Sequence, residues 1–500
     1  MKRPILLLGF LFLLIGSSYA KDSLTPINRN KPALTVIIVV DQLRADLLIR
    51  YEKEFLPPRV KAQVGGFRYL MSKGAYFPFA QINILQNMTA PGHATVLTGS
   101  YPHLSGIPVQ EWFDHEQNER TYCVRDREGK VSAKYLLANT VGDELKIASP
   151  KSKVVSVSIK DRSAVFLGGH NPDLSIWFDL KKLEWQFSED SSAKGENLSW
   201  LQSINHKIQL DKNLKQKTKL AGTAITEELA EQVIKRMKLG ADFYPDLLAV
   251  SFSENDSVGH EFGANSPEVK AITLATDRFL SRLFNFIRKN VPGGLAKTLI
   301  VLTADHGASH ESNLLKNFSG GRLKKKQLLD VVEKHLNEKF SQAKAGNWIV
   351  YLNDLNFYIN RKAVQEKDLD LEAVENEVKS ALKSIQGIDF AISRTDFEQK
   401  NISLFPYRMF ALNSYCPKRS GDVVVHPDPF YFVGSDKSDH MTGYNYDRLI
   451  PLIFAGTAIK PGMQTNKAEL VDLAPTISYV LGILPPAKSE GRVLGEVLKN

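Results

Sequence analysis

Several acidic and imidazole side chains in this sequence are spaced so that they could hold a cation. Asp256-Ser257-Val258-Gly259-His260 sets a carboxylate and an imidazole four positions apart, so one helical turn points both the same way. Asp305-His306-Gly307 follows an apolar run, Asp439-His440 forms a second adjacent pair, and Asp41 closes the first apolar run of the chain. Carboxylate and neutral imidazole together suit zinc. A candidate nucleophile lies in Asn87-Met88-Thr89-Ala90-Pro91-Gly92-His93-Ala94-Thr95. Pro91 fits the first turn of a helix, which places Thr89 near a helix N-terminus, where free N–H groups and the helix dipole favour an oxyanion such as phosphate. A threonine hydroxyl attacks poorly unless a base or a metal activates it. Taken alone, this segment reads first as an ordinary helix N-cap.

The elements that must position these groups can be read from hydropathy. Leu34–Val40, Val154–Ile159, Leu247–Phe252, Thr298–Leu302 and Leu449–Phe454 are unbroken apolar runs, the pattern of buried parallel strands. Helical periodicity occupies Ile225–Met237 and Val269–Arg288 between them. The alternation predicts an α/β fold with a mainly parallel central sheet covered by helices on both faces. Four of the runs lead directly into reactive residues: Asp41, Lys160-Asp161-Arg162, Asp256 and Asp305-His306. Ligand crevices of open α/β sheets lie at the carboxyl ends of the strands, so these groups should converge.

Residues 312–435 differ in character. They are more charged, carry amphipathic helical patterns at Lys324–Phe340 and Leu371–Ile385, and include a strand-like Trp348–Leu352. This stretch is expected to be an inserted α+β subdomain that divides the core into residues 21–311 and 436–500. Residues 1–20 have a basic start, an apolar run and a small-residue end at Ala20, the order of a cleaved secretory signal, which predicts a secreted or periplasmic protein with no membrane segment after cleavage. The net charge is +9, two units of it from Lys2 and Arg3 in that leader. The basic residues are dispersed apart from Lys324-Lys325-Lys326, which reads as a solvated surface, so a nucleic-acid partner is not expected. Cys123 and Cys416 allow one disulfide or two buried thiols.

The full set of motifs resembles the alkaline phosphatase superfamily, and within it the PafA-type alkaline phosphatases and the related nucleotide pyrophosphatase/phosphodiesterases. The resemblance runs through Val39-Val40-Asp41-Gln42, Thr89-Ala90-Pro91-Gly92-His93, Thr98-Gly99, Ser253-Glu254-Asn255-Asp256 to His260, Thr303-Ala304-Asp305-His306-Gly307, His440 and Asp472-Leu473-Ala474-Pro475-Thr476. It implies two zinc ions, one held by Asp256, His260 and His440, the other by Asp41, Asp305, His306 and the Thr89 oxygen. It also implies hydrolysis of a small phosphate ester through a phospho-threonine, with the metals clamping the attacking and leaving oxygens.

Two further features refine the expectation. Lys160 and Arg162 match a Lys-x-Arg pair that in PafA-type monoesterases contacts the non-bridging phosphate oxygens. A monoester dianion gains most from two such cations, so monoester hydrolysis is favoured over the alternative, phosphodiester or nucleotide pyrophosphate cleavage. Gln110 takes, by spacing, the place of a phosphate-binding Asn, with Glu111 adding a charge beside it. His93 is expected to be a structural hydrogen-bond partner and His310 a loop residue. His103, His115, His170 and His426 fit no ligand pattern, and Trp112 and Phe113 read as part of a pocket wall or as core, the wall being favoured. The oligomeric state is left open.

Overall fold

The computed structural model describes residues 31–193, 198–210, 214–311, 320–340, 347–403 and 407–499. The expected signal, residues 1–20, lies outside them. A nine-stranded sheet forms the centre. In chain order its strands are β1 (Leu34–Val40), β2 (Gly74–Gln81), β3 (Val154–Ser158), β4 (Leu174–Asp179), β5 (Glu184–Phe187), β6 (Asp246–Phe252), β7 (Thr298–Thr303), β8 (Leu449–Gly456) and β9 (Gly462–Met463). Their spatial order is β9-β2-β8-β7-β1-β6-β3-β4-β5. The run from β7 through β1, β6 and β3 to β4 is parallel throughout. Every residue of β1 is buried, as a strand sandwiched between two helical layers requires, and its β-branched Val and Ile residues suit that setting.

The run at Leu449–Phe454 corrects the parallel expectation. It is β8, which pairs antiparallel with both β7 and β2. Burial on both faces produces an unbroken apolar run whichever way a strand points, so hydropathy carries no direction. β2 itself, Gly-Ala-Tyr-Phe-Pro-Phe-Ala-Gln, was not foreseen; its Pro78 demotes it in a pattern reading.

A separate four-stranded antiparallel sheet contains, in spatial order, Ile349–Asn353, Asn356–Ile359, Val423–Pro427 and Ile388–Ser393. Helices Lys325–Lys339 and Leu371–Lys383 share a core with it, built on Val332, Leu336, Trp348, Phe357, Val374 and Leu382. A further cluster includes Met88, Ile107, Trp112, Phe166 and Tyr358, and so joins the two sheets. Trp112 is 1 % exposed and Phe113 packs in the same cluster, so both are core residues and not the pocket wall expected of them. Cys123 and Cys416 are buried and unpaired. Lys324, Lys325 and Lys326 are exposed. Among the described residues no helix is long and apolar enough to cross a membrane.

Candidate active site

Three parallel strands deliver the acidic groups to one end of the sheet. β1 and β6 run in register, Val40 beside Phe252, and the N–H of Asp41 continues the ladder by bonding Phe252 O at 2.9 Å. β7 ends at Thr303 and leads to Asp305-His306. β6 leads into helix α3 (Glu254–Phe262), whose one-turn spacing sets Asp256 Oδ1 3.1 Å from His260 Nε2. His440 enters from the chain beyond the second sheet, its ring centroid 3.9 Å from that of His306 and 5.1 Å from that of His260.

Thr89 is the first residue of the wholly buried helix α1 (Thr89–Thr98). The N-cap is Met88, with no side-chain cap bond, so Thr89 is not the capping residue. Its Oγ1 lies 3.3 Å from Lys160 Nζ. Gly92 has a steric role: a Cβ there would meet the backbone oxygen of Asp305 at 2.3 Å, so glycine lets α1 close on the Asp305 loop. His93 acts as expected of a structural partner. Its Nδ1 lies 2.9 Å from Thr89 O and 3.0 Å from Asp305 Oδ2, both acceptors, so Nδ1 carries the proton. Its Nε2 is left to accept from the Ser251 hydroxyl at 2.8 Å.

The three remaining histidines share one arrangement. Each gives Nδ1–H to a backbone carbonyl: His260 to Ser438 at 3.0 Å, His306 to Gly307 at 2.9 Å, His440 to Asn87 at 2.7 Å. That turns each Nε2 inward, the orientation metal-binding histidines require. Burial holds the His306 and His440 rings below the usual imidazole range, hence neutral. Burial also opposes charge on His260, but Asp256 outweighs it and pushes the ring up to about 10.

Among the carboxyls, burial and then Asp305 hold Asp41 well above the usual range. Burial pushes Asp256 the same way but is overcome by Lys160 and His260, which hold it well below. Asp305 is likewise held low, by His306 and His93 against burial.

Two groupings have ligand atoms lying within 4.8 Å of one another: Asp256, His260 and His440, and Asp41, Asp305 and His306. The donor chemistry fits a divalent cation at each. Asp41 Oδ1 and His306 Nε2 are buried and have no hydrogen-bond partner, an arrangement that costs free energy unless something positive or donating faces them. A third grouping, His260 with Asp436 and Asp439, uses the Nδ1 side of the ring, which already bonds Ser438 O.

Lys160 stands at the centre of this arrangement. Its ammonium bonds Asp41 Oδ2, lies 2.7 Å from Asp256 Oδ2, and so touches one carboxylate of each grouping as well as Thr89. Arg162, two residues on in helix α2 (Asp161–Gly168), is turned elsewhere: Nη1 donates to Tyr122 Oη at 3.3 Å, and its buried Nε has no partner. Tyr122 in turn donates to Asp161 Oδ1 at 2.7 Å. Gln110 is not among the gathered groups. Its carbonyl accepts from Cys123 N at 3.0 Å, and its side chain makes no hydrogen bond among the described residues. Glu111 ties the core to the second sheet, accepting from the Tyr351 hydroxyl and, through its carbonyl, from Asn353 Nδ2 at 2.6 Å. His310 lies between Arg44 and Asn265.

Some supporting residues were not singled out by sequence. Asn87 holds His440 through its carbonyl and anchors itself by Nδ2 to Ile84 O and Thr442 O at 2.9 and 2.8 Å. Ser251 orients His93, and Tyr122 orients Arg162. Nothing in their residue type marks them; only their places inside or beside the reactive motifs could have.

Comparison with known proteins identifies the family. The profile of the type I phosphodiesterase / nucleotide pyrophosphatase family matches residues 35–447. The chain is 30 % identical to alkaline phosphatase PafA of Elizabethkingia meningoseptica, over 94 % of this chain and 95 % of that one. It is also 30 % identical to alkaline phosphatase PhoV of Synechococcus elongatus, over the full length of both. The crystal structure of wild-type alkaline phosphatase PafA superposes with a TM-score of 0.85 at 27 % identity, covering 94 % of this chain and 99 % of that one. Murine ectonucleotide pyrophosphatase/phosphodiesterase 5 shares the fold at a TM-score of 0.60 and 13 % identity, over 93 % of this chain and all of that one.

Proposed function

Since this chain belongs to the type I phosphodiesterase / nucleotide pyrophosphatase family, on its alkaline phosphatase side, we propose that it hydrolyses phosphate monoesters by attack of Thr89 on phosphorus. The observation that carries this reading is the position of Lys160 Nζ, 3.3 Å from the Thr89 oxygen. A phosphoryl group joined to that oxygen has its non-bridging oxygens within reach of the ammonium. The helix α1 begins at Thr89, so the same group also sits at the positive end of the helix dipole. Asp256, His260 and His440 would hold one zinc ion, and Asp41, Asp305 and His306, with the Thr89 oxygen, a second. Bound there, such cations supply Lewis acidity for the attacking and leaving oxygens.

The chain's own residues divide the remaining work. Thr89 Oγ gives up its proton and forms a bond to phosphorus as the bond to the leaving oxygen breaks, and the leaving oxygen takes up a proton. Water then attacks the same phosphorus, the Thr89–phosphorus bond breaks, and inorganic phosphate leaves with the threonine regenerated. His93 holds Thr89 O and Asp305 together and so fixes the nucleophile against one ligand set. Lys160 balances charge on the phosphoryl oxygens. Arg162, tethered by Tyr122, joins it on substrate binding, and Gln110, just before the strand Glu111–Asp114, contributes an amide.

In this reading residues 312–435 form a subdomain that frames the pocket, and the leader at 1–20 exports the protein from the cytoplasm. The test is metal content by elemental analysis, with turnover of an aryl phosphate monoester and its methyl diester, before and after chelation. Two zinc ions per chain, monoester preference, loss of turnover on chelation and no phosphoenzyme in Thr89→Ala are expected. Turnover indifferent to chelation would sink the proposal, and a diester preference would favour the phosphodiesterase alternative.

A further inference from the structure

The residue after Asp41 also reaches both groupings, through Asp305 and Asp256 where Lys160 uses Asp41 and Asp256. Gln42 is 2 % exposed, and its backbone sits at φ 61°, the left-handed region that a long side chain seldom adopts. The turn sends its two donors in different directions. The main-chain N–H reaches Asp305 Oδ1 at 3.1 Å, and the side-chain amide Nε2 reaches Asp256 Oδ1 at 2.8 Å. A carboxylate can only accept, so the amide orientation is fixed by its partner. Asn255 Nδ2 bonds the Gln42 carbonyl at 3.0 Å and locks the turn from the other side. Helix α3 is shaped to admit the amide: a Cβ on Gly259 would lie 1.9 Å from Gln42 Oε1.

Asp256 and Asp305 belong to different ligand groupings. We infer that Gln42 is a positioning residue that pins one carboxylate from each grouping and so sets the distance and relative orientation of the two cation sites. The inference rests on the two-metal reading above. The left-handed turn accompanies this double reach, with the backbone N–H directed to one carboxylate and the side-chain amide to the other. The length of the side chain matters too, since asparagine is one methylene short and glutamate would face a carboxylate with another.

The test uses the full chain with Gln42→Ala, Gln42→Asn, Gly259→Ala and the double variant Gln42→Ala/Gly259→Ala. Zinc affinity is measured by competition with a chromophoric chelator, and cobalt(II) absorption spectra report the ligand geometry. Thermal unfolding of each chelated protein is recorded in parallel. The wild type is expected to bind two ions. Both Gln42 variants should weaken one site by roughly 10–100-fold, the usual cost of removing a partner that orients a ligand. They should also change the cobalt spectrum, and the chelated protein should melt near the wild type. Gly259→Ala should reproduce the weakening, and the double variant should bind no worse than Gln42→Ala, because both act on one contact. Two ions bound within twofold of wild-type affinity in both Gln42 variants would overturn the inference, as would losses that multiply in the double variant. If Gly259→Ala does not fold, the Gln42 pair decides alone. A wild type that binds fewer than two ions would overturn the two-metal reading, and this inference with it.

Discussion

Replacing Lys160 by alanine should cost far more with a monoester than with a diester. Two unit charges about 4 Å apart in a water-accessible setting of effective dielectric near 40 interact by about 2 kcal/mol, so one cation and a doubly charged group interact by about 4 kcal/mol. The 3.3 Å separation of Nζ from Thr89 Oγ1 puts a phosphoryl oxygen on Thr89 in this range. A monoester carries two charges on its non-bridging oxygens and a diester one, so the diester should lose about half as much, about 2 kcal/mol. The expected falls in kcat/KM are then roughly 1000-fold for the monoester and roughly 30-fold for the diester. Lys160 also touches Asp41 and Asp256, so its removal is expected to alter metal content as well. Measuring both substrates on one preparation cancels that effect, because occupancy scales the two rates together. The readout is therefore the ratio of the two values, predicted to drop roughly 30-fold. An unchanged ratio would refute the assignment of Lys160 to the phosphoryl oxygens and reduce it to a structural counter-ion of the carboxylates.

Two further predictions concern stability and reactivity away from the site. Asp143 accepts from the N–H groups of Thr140, His170 and Asn171 and pairs with the His170 ring at 3.1 Å. Burial alone would raise Asp143, yet His170 and Thr140 hold it below the usual carboxylate range, while Asp143 holds His170 above the usual imidazole range. The aspartate's contribution is lost as pH falls through its lowered value, and the histidine's as pH rises through its raised one. The pair therefore contributes fully between roughly pH 4 and 6.5, the unfolded values. His170→Gln should lower the melting temperature more at pH 5.5 than at pH 9, by about 1 kcal/mol of stability given the partial exposure of the ring; an equal deficit at both values would refute it. Cys123 and Cys416 should be inert towards Ellman's reagent in the native chain and give two equivalents after denaturation, since burial removes access and pushes both thiols up. Labelling of the native chain, or fewer than two equivalents on unfolding, would contradict the buried, unpaired state.

Four of the five parallel strands were readable because they are buried on both faces and therefore apolar throughout, as Leu34–Val40 shows, whereas β4 at Leu174–Asp179 was not predicted. The places of Asp41, Asp256, Asp305 and His306 were readable for a related reason: charged residues immediately after such runs have nowhere to go but the strand ends. Strand direction was not readable, and β8 went the other way. The reach of long side chains was not readable either. Lys160 and Arg162 are two residues apart, yet one lies among the carboxylates and the other against Tyr122, because one precedes helix α2 and the other is inside it. Glu111 looked like a charge beside the site and proved to be tied to Tyr351, a pairing across 240 positions that no local pattern encodes.

The bond from His440 Nδ1 to Asn87 O joins residues 353 positions apart, and Met441 N bonds the same carbonyl at 3.0 Å. A nascent chain thus carries the threonine segment long before its counterpart emerges from the ribosome. Closing so distant a contact is among the slowest events in folding, since it must wait for the intervening sheet. Until then Asn87 lacks its bonds to His440, Met441 and Thr442. Fragments ending before residue 440 should consequently resemble the finished protein in much of their sheet while lacking the organised centre.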